Sequence, residues 1–196
     1  MFFNSWLQNR KRSTAAARRY TRCGTLAGLA LLLLALVAPA VADSGDDGRA
    51  PDVSAYLSLQ VPEGNKLVFH AYAEGVQIYR WNGSSWVFVA PEATLYADAG
   101  YDGVVGIHYA GPTWESVSGS LVVGKKMGSA TPDPDAIPWL LLEAVHTEGP
   151  GIFHHVTFIQ RLYTEGGTAP TYAGESVGEE ARVPYAAEYF FYRADD

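Results

Sequence analysis

Five histidines, four tryptophans beyond residue 42 and one arginine inside a β run are the side chains with most scope for chemistry in this 196-residue chain. A strand that ligates a metal spaces its ligands two apart, so that both leave the same face. No His-x-His occurs here, and His154 and His155 are adjacent, so on a regular strand they point to opposite faces. His70, His108 and His146 belong to different runs, and a zinc or copper site would need the fold to gather three of these histidines. His108 is the strongest single candidate. It sits in GIHYAGPTWESVSGS (106–120), at the end of a strand-like run and beside a Gly-Pro turn, with Glu115 seven residues on. If the turn brought that carboxylate to the imidazole, the pair would fix the tautomer and raise the basicity a general base needs. The competing reading has His108 bonded to the turn backbone and Glu115 capping the loop.

Trp114 lies in the same stretch, placed by the sequence in a loop at 111–119, where an aromatic face is available to a sugar or a flat apolar ligand. Trp81 and Trp86 bracket an Asn82-Gly83 turn, and Trp139 precedes LLL and reads as core. Arg161, within TFIQRLYT, must reach solvent or a carboxylate. Glu115, Glu143 and Glu188 are its expected structural partners; the functional alternative is an anion-binding arginine inside a pocket. The candidate ligand-binding set is His108, Tyr109, Trp114 and Glu115, with Gln77, Tyr79 and Arg161 as secondary lining residues. No G-x-S-x-G nucleophile elbow and no glycine-rich phosphate loop occurs. No cofactor is expected.

The elements that must position these residues read as β. Gly, Pro and Asn-Gly signals recur every eight to fifteen residues between runs rich in Tyr, Val, Phe and Thr. Strands are expected near 54–60, 66–73, 75–81, 86–90, 93–97, 104–109, 120–125, 139–146, 152–164 and 183–192. YRWNGSSWVF (79–88) predicts a hairpin, because Asn-Gly supplies the positive backbone angles of a tight turn. WLLL and VPYAAEYFFY are apolar on successive positions, so both faces of those strands should be covered. That favours an all-β, antiparallel β-sandwich or jelly-roll-like domain. Residues 165–182 form a polar stretch, either a disordered insertion or a loop folded over a site.

Residues 1–42 carry six basic residues and no acidic one, an apolar run from Leu26 to Val37, and Ala40-Val41-Ala42. This is the pattern of a cleaved N-terminal signal peptide. The apolar run is short for a membrane span, which needs roughly 20 residues. RRYTR (18–22) resembles a twin-arginine signal, with Thr21 where an apolar residue is usual. The expected organisation is a signal peptide (1–42), a flexible acidic leader (43–53) and one β domain (54–196). Export, periplasmic or extracellular, follows as an expectation. Losing six of the 14 basic residues leaves eight against 21 acidic ones, a net charge of −13. Such a chain repels nucleic acid and anionic membrane surface, and no stable membrane insertion is expected after cleavage. The expected partner is a small molecule or a glycan. The one cysteine, Cys23, precedes the apolar run, so the remainder holds no disulfide.

The strings GVQIY (75–79), APEA-LY (90–96), HYAGPTWE (108–115), IPWLLL (137–142), IQRL-T-GG-AP (159–170) and VPYAAEYFFY (183–192) resemble a family of exported bacterial and fungal proteins catalogued as a domain of unknown function. The resemblance implies a secreted, mostly β domain without an established activity. Some fungal relatives carry metabolic-enzyme names, but no dinucleotide fingerprint is present here. Relatives often show a cysteine after QIY and another after GG-AP; here Arg80 stands at the first position and no cysteine follows Pro170. The resemblance thus implies a loop tether that this chain lacks. Together these readings give a non-catalytic binding or envelope-associated module, with a rim pocket near HYAGPTWE. The alternative is a metal-dependent or His/Glu acid–base enzyme centred on His108 and Glu115.

Overall fold

The computed structural model describes residues 50–195; the proposed signal peptide lies outside them. Eight antiparallel strands run in simple up-and-down order: β1 (Asn65–Trp81), β2 (Trp86–Tyr96), β3 (Val104–Tyr109), β4 (Thr113–Ser116), β5 (Leu121–Ala130), β6 (Trp139–Glu148), β7 (Val156–Gly166) and β8 (Glu180–Ala194). Each pairs with its sequence neighbours, and β1 pairs with β8 from Asn65↔Ala194 to Arg80↔Glu180, closing the sheet into a barrel. The all-β expectation holds. The two-sheet sandwich or jelly roll does not: one sheet closes on itself, which removes free edges by closure rather than by face-to-face packing.

The covered outer face that suggested two sheets has another cause. A segment containing Val53 and a short 3-10 turn at Leu57–Leu59 packs over Leu141, Leu162, Phe190 and Tyr192 on the outside of β6, β7 and β8. Gln160 Nε2 donates to Leu59 O at 2.7 Å, and Tyr192 Oη donates to Gln160 Oε1 at 2.7 Å. The run 54–60, expected as a strand, is this covering turn. Elsewhere the outer wall mixes exposed apolar side chains such as Ile107 and Val145 with cross-strand charged pairs. Arg80–Glu180, Arg182–Glu92 and His70–Glu188 pair across strands at 2.6, 2.8 and 2.8 Å.

Two pairs of expected strands are single long ones. Gly75 does not break β1: its Cβ would lie 2.2 Å from Glu92 O, so glycine is what lets β1 and β2 approach. Pro91 does not break β2, because pairing to β3 begins only at Ala93 and residues before it lie on an edge. The hairpin forms with Trp81 opposite Trp86, but its turn differs from expectation: only Gly83 has a positive φ, +98°, and Asn82 Oδ1 instead accepts from the Ser84 and Ser85 amides.

Inside the barrel, Phe69, Phe153 and Phe191 close one end. Phe153 comes from the β6–β7 turn, its ring 4.7 Å from Phe191 and its amide donating to Ser120 Oγ at 3.2 Å. The other end is different. Residues 86–92 of β2 pair with β1 alone, and residues 125–130 of β5 pair with β6 alone. Between them stands only the short β3–β4 hairpin, so the wall is notched above its tip.

Candidate functional site

HYAGPTWE is that hairpin. Ala110-Gly111-Pro112 form its turn, with Gly111 at φ +95°, a left-handed backbone that glycine adopts without strain. Thr113 Oγ1 donates to Ala110 O at 3.1 Å, and His108 Nδ1 donates to Thr113 O at 2.8 Å. His108 pairs with Trp114, and Ile107 with Glu115. Strand alternation then sends His108 and Trp114 inward and Tyr109 and Glu115 outward. Tyr109 Oη donates to Glu115 Oε2 at 2.9 Å on the outer face. The His108–Glu115 acid–base pair is therefore not assembled, since the two side chains lie on opposite faces of one hairpin.

Trp114 is not a loop residue. It lies on β4, 1 % exposed. Gly124 makes room for it, since a Cβ there would meet the Trp114 ring at 3.1 Å and Leu142 at 3.2 Å. His108, 3 % exposed, stacks on the indole, and Tyr189 meets both rings edge-on at 5.2 and 5.4 Å.

Above these three rings lies a cavity of about 330 Å³. This is near the lower end of the roughly 300–1,000 Å³ usual for small-molecule sites. Phe88, Val89 and Pro91 of β2, the hairpin tip 110–112, Lys126 of β5, and Pro138, Leu140 and Leu142 form its walls. Gln77, Tyr79, Ile137, Arg161 and Tyr189 complete it. Five of the seven residues singled out from sequence line this one cavity: His108, Trp114, Gln77, Tyr79 and Arg161. Tyr109 and Glu115 do not.

Residues 62–193 match the family described as "Protein of unknown function (DUF3455)", a span that includes all eight strands except the last residue of β8. The chain belongs to that family. No curated protein and no solved structure matches it.

The chemistry of this DUF3455 domain rests on its geometry. Full burial drives the His108 pKa down to about 3, with Arg161's charge adding to the effect and the Thr113 bond opposing it. The imidazole is thus neutral near pH 7. Its Nδ1 carries the proton, because a carbonyl can only accept, and Nε2 is left as an acceptor. Burial raises the Tyr79, Tyr185 and Tyr189 pKa values, so all three hydroxyls stay protonated. Tyr79 Oη donates to Gly167 O at 2.7 Å, and the Tyr185 and Tyr189 hydroxyls meet at 3.4 Å.

Arg161 differs from expectation. Its Nε and Nη2 donate to one acceptor, Pro138 O, at 3.2 and 2.8 Å. Among the described residues no carboxylate lies within ion-pair distance of it. Glu115 is bonded to Tyr109 and Glu188 to His70 on the outer face, and Glu143 is exposed. Two donors are also left over. Gln77 Nε2 and Trp114 Nε1 are buried without a hydrogen-bond partner, although the Tyr185 hydroxyl lies close enough to Gln77 to feel its amide.

The other histidines stay apart. His70 stacks on Phe190 at 4.2 Å on the outer face, His146 lies 3.6 Å from Glu148, and His154 and His155 touch each other in the β6–β7 turn. Among the described residues no three His, Cys, Asp or Glu side chains gather as a metal site.

Of the stretch 165–182, residues 165–166 end β7 and residues 180–182 begin β8, and the loop between them is pinned to the β1–β2 hairpin. Trp86 Nε1 donates to Tyr172 O at 2.8 Å, and the Gly178 amide donates to Trp81 O at 2.8 Å. None of its residues lines the cavity, so it is not a lid over this site.

Sequence reasoning missed Tyr189 and Lys126. A signal was present for both. Tyr185, Ala187, Tyr189 and Phe191 alternate onto one face of β8, and one of the adjacent Lys125 and Lys126 had to face the barrel axis.

Proposed function

We propose that this chain is an exported binding module that holds a small, largely apolar molecule in the open end of its barrel. The observation that carries the reading is the cavity itself, walled by apolar side chains and floored by the stacked His108, Trp114 and Tyr189 rings. Eight-stranded barrels of this kind have an interior wide enough for one small ligand. A glycan is less well served. A sugar packs on an exposed aromatic face, and Trp114 has almost none. Export is supported by the basic, then apolar, then Ala-Val-Ala pattern of residues 10–42. A lipid-embedded barrel is disfavoured by the charged pairs on the outer wall, which a bilayer would penalise.

The test uses N-phenyl-1-naphthylamine, a neutral dye that fluoresces in apolar surroundings. Saturable enhancement is expected with the native protein. Val89→Trp, on the exposed unpaired edge of β2, should block the mouth and abolish enhancement with the circular dichroism spectrum unchanged. Enhancement that fails to saturate, or that survives in the folded V89W variant, sinks the reading.

A further inference from the structure

The cavity has an imbalance that an apolar ligand alone does not answer. It is rich in hydrogen-bond donors and has no acidic side chain in its lining. Arg161 enters it from β7, opposite Leu140 on one side and Tyr189 on the other. A half-buried guanidinium normally faces a carboxylate, because a charge withdrawn from water needs an opposite one. Here the neutral Pro138 carbonyl accepts from Nε and Nη2, the neutral Tyr189 hydroxyl lies close enough to feel the guanidinium, and no carboxylate compensates the positive charge among the described residues. Around it, the Tyr189 hydroxyl remains a donor at any ordinary pH. Lys126 stands at the rim and adds a second positive charge to the entrance. All of this occurs in a chain whose net charge is −7.

A guanidinium in a pocket whose lining holds no acid calls for a negative charge from elsewhere, and a ligand can supply it. The missing group must be an acceptor, must carry negative charge, and must sit beside apolar walls. Arginine's planar fork matches a carboxylate, and the space is too small for much beyond one ring or a short chain. Resting on the pocket reading above, we infer that the barrel's open end binds a small carboxylic acid. Its carboxylate lies on Arg161, and its apolar body lies against Phe88, Val89 and Leu140, above the His108–Trp114 stack. The neutral imidazole neither competes for the carboxylate nor repels the apolar body.

The experiment is displacement of N-phenyl-1-naphthylamine from the protein, purified from an exporting host, by two matched probes, trans-cinnamate and cinnamamide. They share size and shape and differ in charge. A charge-assisted contact changes affinity by roughly ten- to a hundredfold. Cinnamate should therefore displace the dye at least about tenfold more tightly than cinnamamide. In Arg161→Gln that ratio, each probe referred to the variant's own dye affinity, should fall to near one. Equal displacement by the two probes in the native protein, or displacement by neither, overturns the carboxylate inference and leaves the pocket standing. A preference for cinnamate that survives Arg161→Gln removes Arg161 as the anchor. If the dye itself does not bind, the pocket reading fails first and the inference falls with it. The comparison of the two probes on the native protein decides the question even if the variant fails to fold.

Discussion

The His108 imidazole lies flat on the Trp114 indole, ring centroids 4.4 Å apart and planes inclined by 11°. The two residues sit opposite each other in register on β3 and β4. The stack is thus a property of the shortest hairpin in the barrel. It makes the floor of the cavity and part of the core at once, so packing and binding are not separable at these two positions.

Trp114 should therefore behave as core first. Truncating a buried tryptophan costs about 3–5 kcal/mol, and Trp114→Ala is expected to lose that much. Trp114→Phe keeps an aromatic face toward His108 and Tyr189 and should lose less, while lowering ligand affinity. Urea denaturation of both variants, with dye titration of the folded one, checks this.

His108 should make the fold acid-sensitive. Its folded pKa is about 3, against the ordinary 6.5. Below pH 6.5 the unfolded chain takes up a proton that the folded chain refuses, so stability is full above 6.5 and is lost as pH falls toward 3. The slope attributable to this group approaches roughly 1.4 kcal/mol per pH unit in that window. In His108→Gln, where the amide can still donate to Thr113 O, that part of the slope should vanish. Denaturation midpoints at pH 7, 6, 5 and 4 for the two proteins measure it. Parallel curves would mean that His108 is accessible to protons in the folded state.

Glu115 and Tyr109 should matter little. Their contact is a part-buried hydrogen bond on the outer face, of a kind that contributes about 1 kcal/mol. Glu115→Gln and Tyr109→Phe are expected to leave dye and cinnamate binding unchanged and to shift the urea midpoint slightly. A large loss of binding in either would place the site on the outer wall.

How much of this was legible in the sequence depends on which physical signal each feature leaves. The hairpin at Asn82-Gly83 was readable because both are turn residues, although only Gly83 takes a positive φ and Asn82 acts through its side chain, whose Oδ1 accepts from the Ser84 and Ser85 amides. Gly75 and Pro91 misled because their meaning is non-local: one allows β1 to approach Glu92 O, and the other lies on an unpaired edge. Barrel closure depends on β1 meeting β8, and no short-range pattern reports it. The covering segment around Leu59 made β6 to β8 apolar on both faces, which imitates a sandwich strand. At the site, the hairpin placed His108 and Trp114 inside together, but the same alternation separated His108 from Glu115. Spacing along the chain suggested their proximity, and parity across the hairpin decided against it. Arg161 was visible as an arginine needing a partner, but only the closed barrel shows that every candidate glutamate faces outward.

Gly106 should tolerate no side chain. It lies on β3 opposite Ser116, and a Cβ there would stand 2.3 Å from Glu115 O. The neighbour is backbone, so the strands must separate. Gly106→Ala is expected to destabilise by about 1–3 kcal/mol or more and to tilt the His108–Trp114 floor. Thermal unfolding reads the first effect and the dye affinity of the folded fraction reads the second.

The loop after β7 offers the clearest separation of stability from binding. Trp86 Nε1 holds Tyr172 O, and Gly174 lies so close to Trp81 that a Cβ there would fall 2.6 Å from the indole. Neither tryptophan lines the cavity, and no loop residue reaches it. Trp86→Ala removes the hydrogen bond and the ring that Tyr172 packs against at 6.3 Å. The loop keeps its Gly178–Trp81 tie but should open more often at its exposed residues, because local opening follows the number of contacts that hold a segment. Limited trypsin is a poor probe here, since residues 165–181 hold no Lys or Arg. Glu-specific protease is suitable, with Glu175 and Glu179 inside the loop. Faster cleavage at these two sites in W86A, with unchanged dye affinity, is the expected result. A loss of dye affinity that parallels the gain in cleavage would mean that the loop covers the mouth in solution.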